Sequence, residues 1–209
     1  MADYCTLADI KAQLPESGLA SSTDYDDMLQ TNITAVSRLI DREVGRWPNF
    51  FYPSTSDETR VFDGNGDHKL WIDDVVSITS VSISDDGSLA SSDYAALSSS
   101  DYYAWPYNYT ATGQPIMRLD LDWRNGAENE WPDYEKSVKI AGVFGYSTTP
   151  PADIKQACII QTGRWFMRAK QAWADAGASA ITGQMFYVKK LDPDVAELLS
   201  PYKLAGIVP

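Results

Sequence analysis

The sequence predicts an α+β protein: a small helical bundle built from N- and C-terminal helices, with an antiparallel β-rich domain inserted between them. Three observations predict it. Apolar residues recur at steps of three and four near residues 25–47 and again near 154–169, the period of a helix with one buried face. Between them, over about 58–147, the period drops to two, and turn-forming residues punctuate short runs. The 209 residues suffice for a core with no metal or disulfide staple. The expected boundaries are 1–57, 58–147 and 148–209, the last packing with the first.

The elements follow in order. Thr6, with Asp9 three residues on, has the form of an N-cap for a short helix to about Leu14, ahead of Pro15. A second cap is expected at Ser22 or Thr23, with Asp24, Asp26 and Asp27 favourably placed against the helix dipole. From there Tyr25, Met28, Leu29, Ile33, Val36, Leu39, Ile40, Val44 and Trp47 form one stripe over about six turns, stopped by Pro48. Strands are expected at Arg60–Phe62, Leu70–Ile72, Val75–Ile83, Met117–Trp123 and Ser137–Phe144, suggesting a small antiparallel sandwich or barrel. A long helix then runs from Ala152 to about Trp173. Its stripe is Ile154, Ala157, Cys158, Gln161, Trp165 and Ala169, but Ile159, Ile160 and Phe166 fall off it. Such a helix is either central to the fold or packed on another subunit. Residues 177–183 are small and flexible, 185–191 suit a short extended segment, and Asp192-Pro193 caps a short, detached last helix through Leu199, ended by Pro201.

Charge narrows the function. Asp and Glu number 29 against 17 Lys and Arg, for a net charge of −12. Residues 1–147 carry 24 acidic and 10 basic groups, and residues 148–209 carry five and seven, so the two parts hold −14 and +2. An acidic body repels phosphate backbones, which argues against sequence reading or wrapping of DNA. It suits a channel through which DNA must slide. No run approaches the length of a membrane span, and the first residues lack a signal peptide's pattern, so a soluble protein made inside the cell is expected. Cys5 and Cys158, in separate predicted helices, are read as two free thiols.

Residues that could carry chemistry are weak candidates. His68 is the single histidine, so any triad depends on it, and it follows Asp67 in a turn. Asp63, Asn65, Asp67 and Asp74 take the spacing of a calcium loop, but His68 stands where a glycine is needed, between strands rather than helices. Asp120 and Asp122 share one strand face in the manner of paired glycosidase acids. The run from Tyr102 to Tyr109, with Trp105 and Tyr107, is a sugar-stacking platform or a subunit contact. No enzyme, cofactor or metal site is expected.

Four stretches carry a resemblance. They are Thr6-Leu7-Ala8-Asp9-Ile10-Lys11-Ala12-Gln13-Leu14; Asp26-Asp27-Met28-Leu29 through Val36 to Gly45-Arg46; Gly142-Val143-Phe144-Gly145-Tyr146 with Pro150-Pro151-Ala152-Asp153-Ile154-Lys155-Gln156-Ala157; and Leu198-Leu199-Ser200-Pro201-Tyr202-Lys203. In order and spacing they resemble the head–tail connector family of tailed bacteriophages, also called adaptor or head-completion proteins. The smallest members are mainly helical, so this chain resembles an elaborated version. The resemblance implies a ring in the virion, commonly of twelve copies, seated under the portal protein and receiving the next neck, stopper or tail-completion protein. DNA passes through its centre without sequence-specific binding. On this reading Lys189, Lys190, Leu198, Leu199, Tyr202 and Lys203 dock on the portal, and Ile159, Ile160, Phe166, Trp105 and Tyr107 meet neighbouring subunits. Alternatives are another neck or tail-completion protein, a carbohydrate- or cell-surface-binding module, and a hydrolase using Asp120 and Asp122.

Overall fold

The structure, a computed structural model, describes residues 2–13, 22–53, 55–84, 94–170, 176–178, 185–187 and 191–204. In chain order the elements are α1 (Leu7–Gln13), α2 (Asp26–Glu43), β1 (Glu58–Phe62), β2 (Lys69–Ile83), β3 (Ala95–Leu97), β4 (Tyr102–Trp105), α3 (Tyr109–Thr112), β5 (Ile116–Leu121), β6 (Val138–Phe144), α4 (Ala152–Lys170), β7 (Ala176–Ala178), β8 (Met185–Tyr187) and α5 (Pro193–Leu199). The architecture is α+β, and the chain divides into two compact units: Met1–Phe51 with Pro150–Pro209, and Tyr52–Thr149.

In the helical unit, α4 packs against α1, α2 and α5, so it is central to the fold. Thr6 caps α1 reciprocally with Asp9: the Asp9 amide donates to Thr6 Oγ1, and the Thr6 amide donates to Asp9 Oδ2. Helix α2 begins later than expected, with Tyr25 at its N-cap, and ends earlier, before Trp47. The early stop has a local cause. Gly45 adopts φ 76°, and the amides of Gly45 and Arg46 turn back to the carbonyls of Arg42 and Asp41. Leu29, Ile33, Val36, Leu39, Ile40 and Val44 are buried as the stripe predicts, each contributing roughly 1.5–3 kcal/mol of transfer energy. Ser37 and Asp41 are buried with them.

Helix α5 is not detached. Asp192 caps it by accepting the Asp194 amide at 3.0 Å, and also receives Arg164 Nη1 of α4 at 2.6 Å. Gln161, buried on α4, accepts the Asp192 amide at 3.1 Å. Two buried cysteines also meet here, Cys5 Sγ lying 3.1 Å from Cys158 Sγ. Strands β7 and β8 form a separate antiparallel pair, covering one end of the span expected to be flexible.

In the β unit the strands form one antiparallel sheet in the order β1-β6-β2-β5-β4, with β3 on the end of β2. The expected sandwich or barrel is therefore a single sheet, with β1 and β4 at the two ends of its path. The cause is β2, expected as two strands. It runs continuously over 15 residues and pairs β5 through its first half and β6 through its second, with register shifts between Trp71 and Val75, between Val75 and Ser77 and between Ile78 and Ser80. Leu70, Val75, Val81, Ile116, Leu119, Leu121, Val138, Ile140 and Phe144 are buried in this unit. The turn at 63–67 lies against the segment around Pro132, where a Cβ on Gly64 would fall 1.7 Å from the Pro132 carbonyl oxygen, so only glycine fits.

Candidate interaction site

Strand pairing builds the most distinctive surface of the molecule. Trp71 on β2 and Trp105 on β4 both lie opposite Arg118 on β5, so the three side chains form one row on one face of the sheet. Two residues further along β5, Asp120 lies opposite Lys69 and Tyr103, forming a second row on that face. The side chains interlock. Arg118 donates from Nε to Asp120 Oδ1 at 2.6 Å and from Nη2 to Oδ2 at 2.8 Å, while its guanidinium stands 4.6 Å from the Trp105 ring centre and 5.1 Å from that of Trp71.

Two tyrosines extend this face. Tyr107 donates its hydroxyl to Asp120 at 3.1 Å, and Tyr103 donates to Asp122 at 2.9 Å. The two rings meet edge to face at 6.4 Å. Arg124 stacks over Trp123 at 4.7 Å. Hydrogen bonds to the carboxylates hold both phenols above their ordinary pKa and Arg118 above its own. Hydrogen bonds from Asn125 first, then Tyr103, hold Asp122 below its own. A cleft of about 390 Å³ opens among His68, Lys69, Tyr103, Tyr107, Asp122 and Trp123.

The polar groups of this face are engaged with one another. Both oxygens of Asp120 accept from Arg118, and Asp122 accepts from Tyr103 and Asn125, so the two carboxylates that share this strand face have separate partners. His68 sits in the turn with its ring against Asp67 at 2.6 Å and nearly half of its side chain exposed. The would-be calcium ligands diverge: Asp63 accepts the Lys136 amide, Asn65 the Asp67 amide and Asp67 the His68 amide. Among the described residues no group of three or more His, Cys, Asp or Glu side chains comes together to hold a metal, and no helix is long and apolar enough to cross a membrane.

The predicted site residues differ in burial. Trp105 is half-buried and Tyr107 exposed, both on the aromatic face. Ile159 and Phe166 are buried in the helical unit's own core, as is Leu199, so none of them offers surface to a partner; Ile160 and Leu198 are half-buried. Lys203 is exposed, and Tyr202 packs edge-on against Phe51 at 5.2 Å with its hydroxyl 3.4 Å from Asp153. Lys189 and Lys190 lie outside the described residues. Sequence reasoning missed Trp71, Tyr103, Arg118 and Trp123 as one surface. The available signal was the alternation of Arg118, Asp120 and Asp122 opposite Leu119 and Leu121, which puts opposite charges on one face of a strand.

No family model and no curated protein matches the chain. Solved structures do. A chain in the neck of an empty gene transfer agent particle, computed with C6 symmetry, is 15% identical with a TM-score of 0.54, over 98% of this chain and 92% of that one. A chain from the neck of the native particle, computed with C12 symmetry, is 14% identical with a TM-score of 0.48, over 100% of this chain and 97% of that one. A chain from the virion of the native particle is 13% identical with a TM-score of 0.48, over 90% and 83%. The chain thus shares, along nearly its whole length, the fold of a protein found in the neck of a gene transfer agent particle.

Proposed function

We propose that this protein is a structural neck component of a phage-like particle, the connector that joins head to tail. The observation that carries the reading is the likeness in fold to a neck chain over 98% of the sequence, helical and β-rich parts together. The four stretches that resemble the connector family frame the same span. A ring follows from the reading, because a neck chain resolved with six-fold symmetry repeats around an axis, and twelve copies are compatible with that symmetry. The acidic body, net −12, suits a channel that lets DNA pass without gripping it. The work of such a part is mechanical and needs no catalytic residue or cofactor. Its location would be the head–tail junction of the virion, after synthesis in the host cytoplasm.

On this reading the C-terminal segment meets the portal through Leu198, Tyr202 and Lys203, with Lys189 and Lys190 nearby in sequence. Leu199 anchors the segment from within. Ring neighbours are met through Ile160 and through the aromatic face containing Trp105 and Tyr107. The alternative is a different neck or tail-completion position, which changes the neighbour and not the physics. Co-sedimentation with the portal ring of the same particle tests the reading. A stoichiometric added ring is expected, weakened by Lys203→Glu with Leu198→Asp; a protein that leaves the portal bare would move it to another position.

A further inference from the structure

We propose that Cys5 and Cys158 form an oxidative modification site, at which a two-electron oxidation closes a disulfide that fastens the arm before α1 to α4. The inference concerns the helical unit alone and does not depend on the neck reading.

The chain has two cysteines, and the fold brings both to one point. They stand 153 residues apart in sequence, yet Cys5 Sγ lies 3.1 Å from Cys158 Sγ. A disulfide is about 2.05 Å long, so closing it requires the sulfurs to approach by about 1 Å. Both sides of Cys5 are held in place. Before it, the Tyr4 amide donates to Ser37 Oγ and the Tyr4 hydroxyl to Asp41, both on α2. After it, Thr6 caps α1 with Asp9, and Asp9 pairs at 2.8 Å with Lys155, three residues before Cys158 on α4. The sulfurs therefore meet with little chain entropy left to lose. A structural zinc takes four ligands. Among the described residues no group of three or more His, Cys, Asp or Glu side chains comes together, so the pair's own bond is the product its surroundings favour.

The two sulfurs are not equivalent. The Cys5 thiol donates to Cys158, and that bond is the largest cause holding the Cys158 thiol below its ordinary range. Cys158 is thus the nucleophile. It is fully buried and Cys5 is 4% exposed, so the oxidant must be small and enter as the arm opens; hydrogen peroxide meets that need. The Cys158 thiolate attacks one peroxide oxygen, the O–O bond breaks, and the leaving hydroxide takes up the proton Cys158 had lost, giving water and a Cys158 sulfenic acid. When the arm recloses, the Cys5 sulfur attacks the Cys158 sulfur. The S–S bond forms, the S–O bond breaks, and the departing hydroxide leaves with the Cys5 proton as a second water. Two thiols and one peroxide become one disulfide and two waters.

The link closes a loop of chain that contains the whole of Tyr52–Thr149, and a cross-link over so long a loop restricts the unfolded chain strongly. Thiol reductants hold such a pair open inside a cell, and oxidising surroundings outside it let the bond persist.

The purified full chain, treated with hydrogen peroxide and digested without reductant, tests this. The expected product is the Cys5 peptide joined to the Cys158 peptide, lighter than their sum by about two hydrogens, with no dimer of the chain. The midpoint of urea unfolding is expected to rise by at least about 1 M on oxidation and to return with dithiothreitol. Dithiothreitol leaves oxidised methionine as it is, so the return assigns the rise to the link. Two thiols still reduced after treatment would overturn the inference, as would sulfinic acids on unlinked cysteines, a bond between two chains, or a link that leaves the midpoint where it was. Each of these outcomes leaves the neck reading untouched.

Discussion

Tyr4 donates its hydroxyl proton to the buried carboxylate of Asp41, and this bond fastens the N-terminal arm to helix α2 inside the helical core. Around it the Tyr4 amide donates to Ser37 Oγ at 3.0 Å, the Phe51 amide donates to the Tyr4 hydroxyl at 3.2 Å, and the Asn49 amide donates to Asp41 Oδ2 at 3.0 Å. One buried polar knot therefore ties together the arm, the helix and the turn after it. Burial first, then the Asp41 charge, pushes the Tyr4 phenol well above its ordinary pKa, so it stays a proton donor.

Tyr4→Phe keeps the ring and removes the donor, leaving a buried carboxylate oxygen and the Phe51 amide short of a partner. The expected loss is roughly 2 kcal/mol of stability, read from the midpoint of urea unfolding with an unchanged slope. A variant as stable as the parent would show that the knot contributes nothing.

Acid separates two carboxylates of the helical unit. Asp9, paired with Lys155 at 2.8 Å and capping α1, has its pKa lowered to about 2, with the Lys155 hydrogen bond as the largest favourable cause. Its contribution is present above the ordinary value of 3.8 and lost as pH falls from there to about 2. Asp41 is the reverse case: burial raises its pKa, so its charged form costs stability and the cost disappears as pH falls toward 3.8. Asp9→Asn is expected to lose under about 1 kcal/mol at pH 6, since the pair is partly solvated, and to match the parent at pH 2. Unfolding curves of both proteins across that range check the sign.

The thiols of Cys5 and Cys158 are shielded. Both side chains are buried, and the hydrogen bond to Cys158, with desolvation, pushes Cys5 far above the ordinary thiol range. A thiol reagent such as dithionitrobenzoate is expected to label both only as fast as the protein opens, at least about a hundredfold slower than in denaturant. Immediate labelling in the native state would contradict the packing of the arm against α4.

Arg118→Ala strips the bidentate partner from Asp120, which is 5% exposed, and leaves Trp71 and Trp105 without the cation between them. A loss of roughly 2 kcal/mol is expected, with a change in tryptophan emission as the rings reorient. Arg118→Lys is expected to recover only part of it, because an ammonium cannot donate in a fork.

The regular elements were legible because periodicity reports burial: the stripe on α2 and the alternation in β6 became buried faces, while of the alternating set Met117, Leu119, Leu121 and Trp123 only Leu119 and Leu121 are buried and Trp123 is exposed. Ends were less legible, since Gly45 stops α2 through its backbone conformation and not through the apolar pattern. The topology of the sheet was not legible, because the single strand β2, which pairs with β3, β5 and β6, reads as two strands separated by Asp73-Asp74. Lying off the stripe on α4 does not mark surface: of Ile159, Ile160 and Phe166, only Ile160 is more than slightly exposed. Ile159 and Phe166 face α4's own neighbours, since a helix packed against three others buries more than one stripe. The aromatic face needed cross-strand register, which brings Trp71, Trp105 and Arg118 together from positions up to 47 residues apart.

The most direct test of the central claim is a cryo-electron microscopy reconstruction of the head–tail junction of the particle that contains this protein. The account predicts a ring of copies at that junction, with a six-fold or twelve-fold arrangement, into whose density both the helical unit and the six-stranded sheet fit. Density for this chain found only elsewhere in the particle, or as a single unrepeated copy, would contradict it.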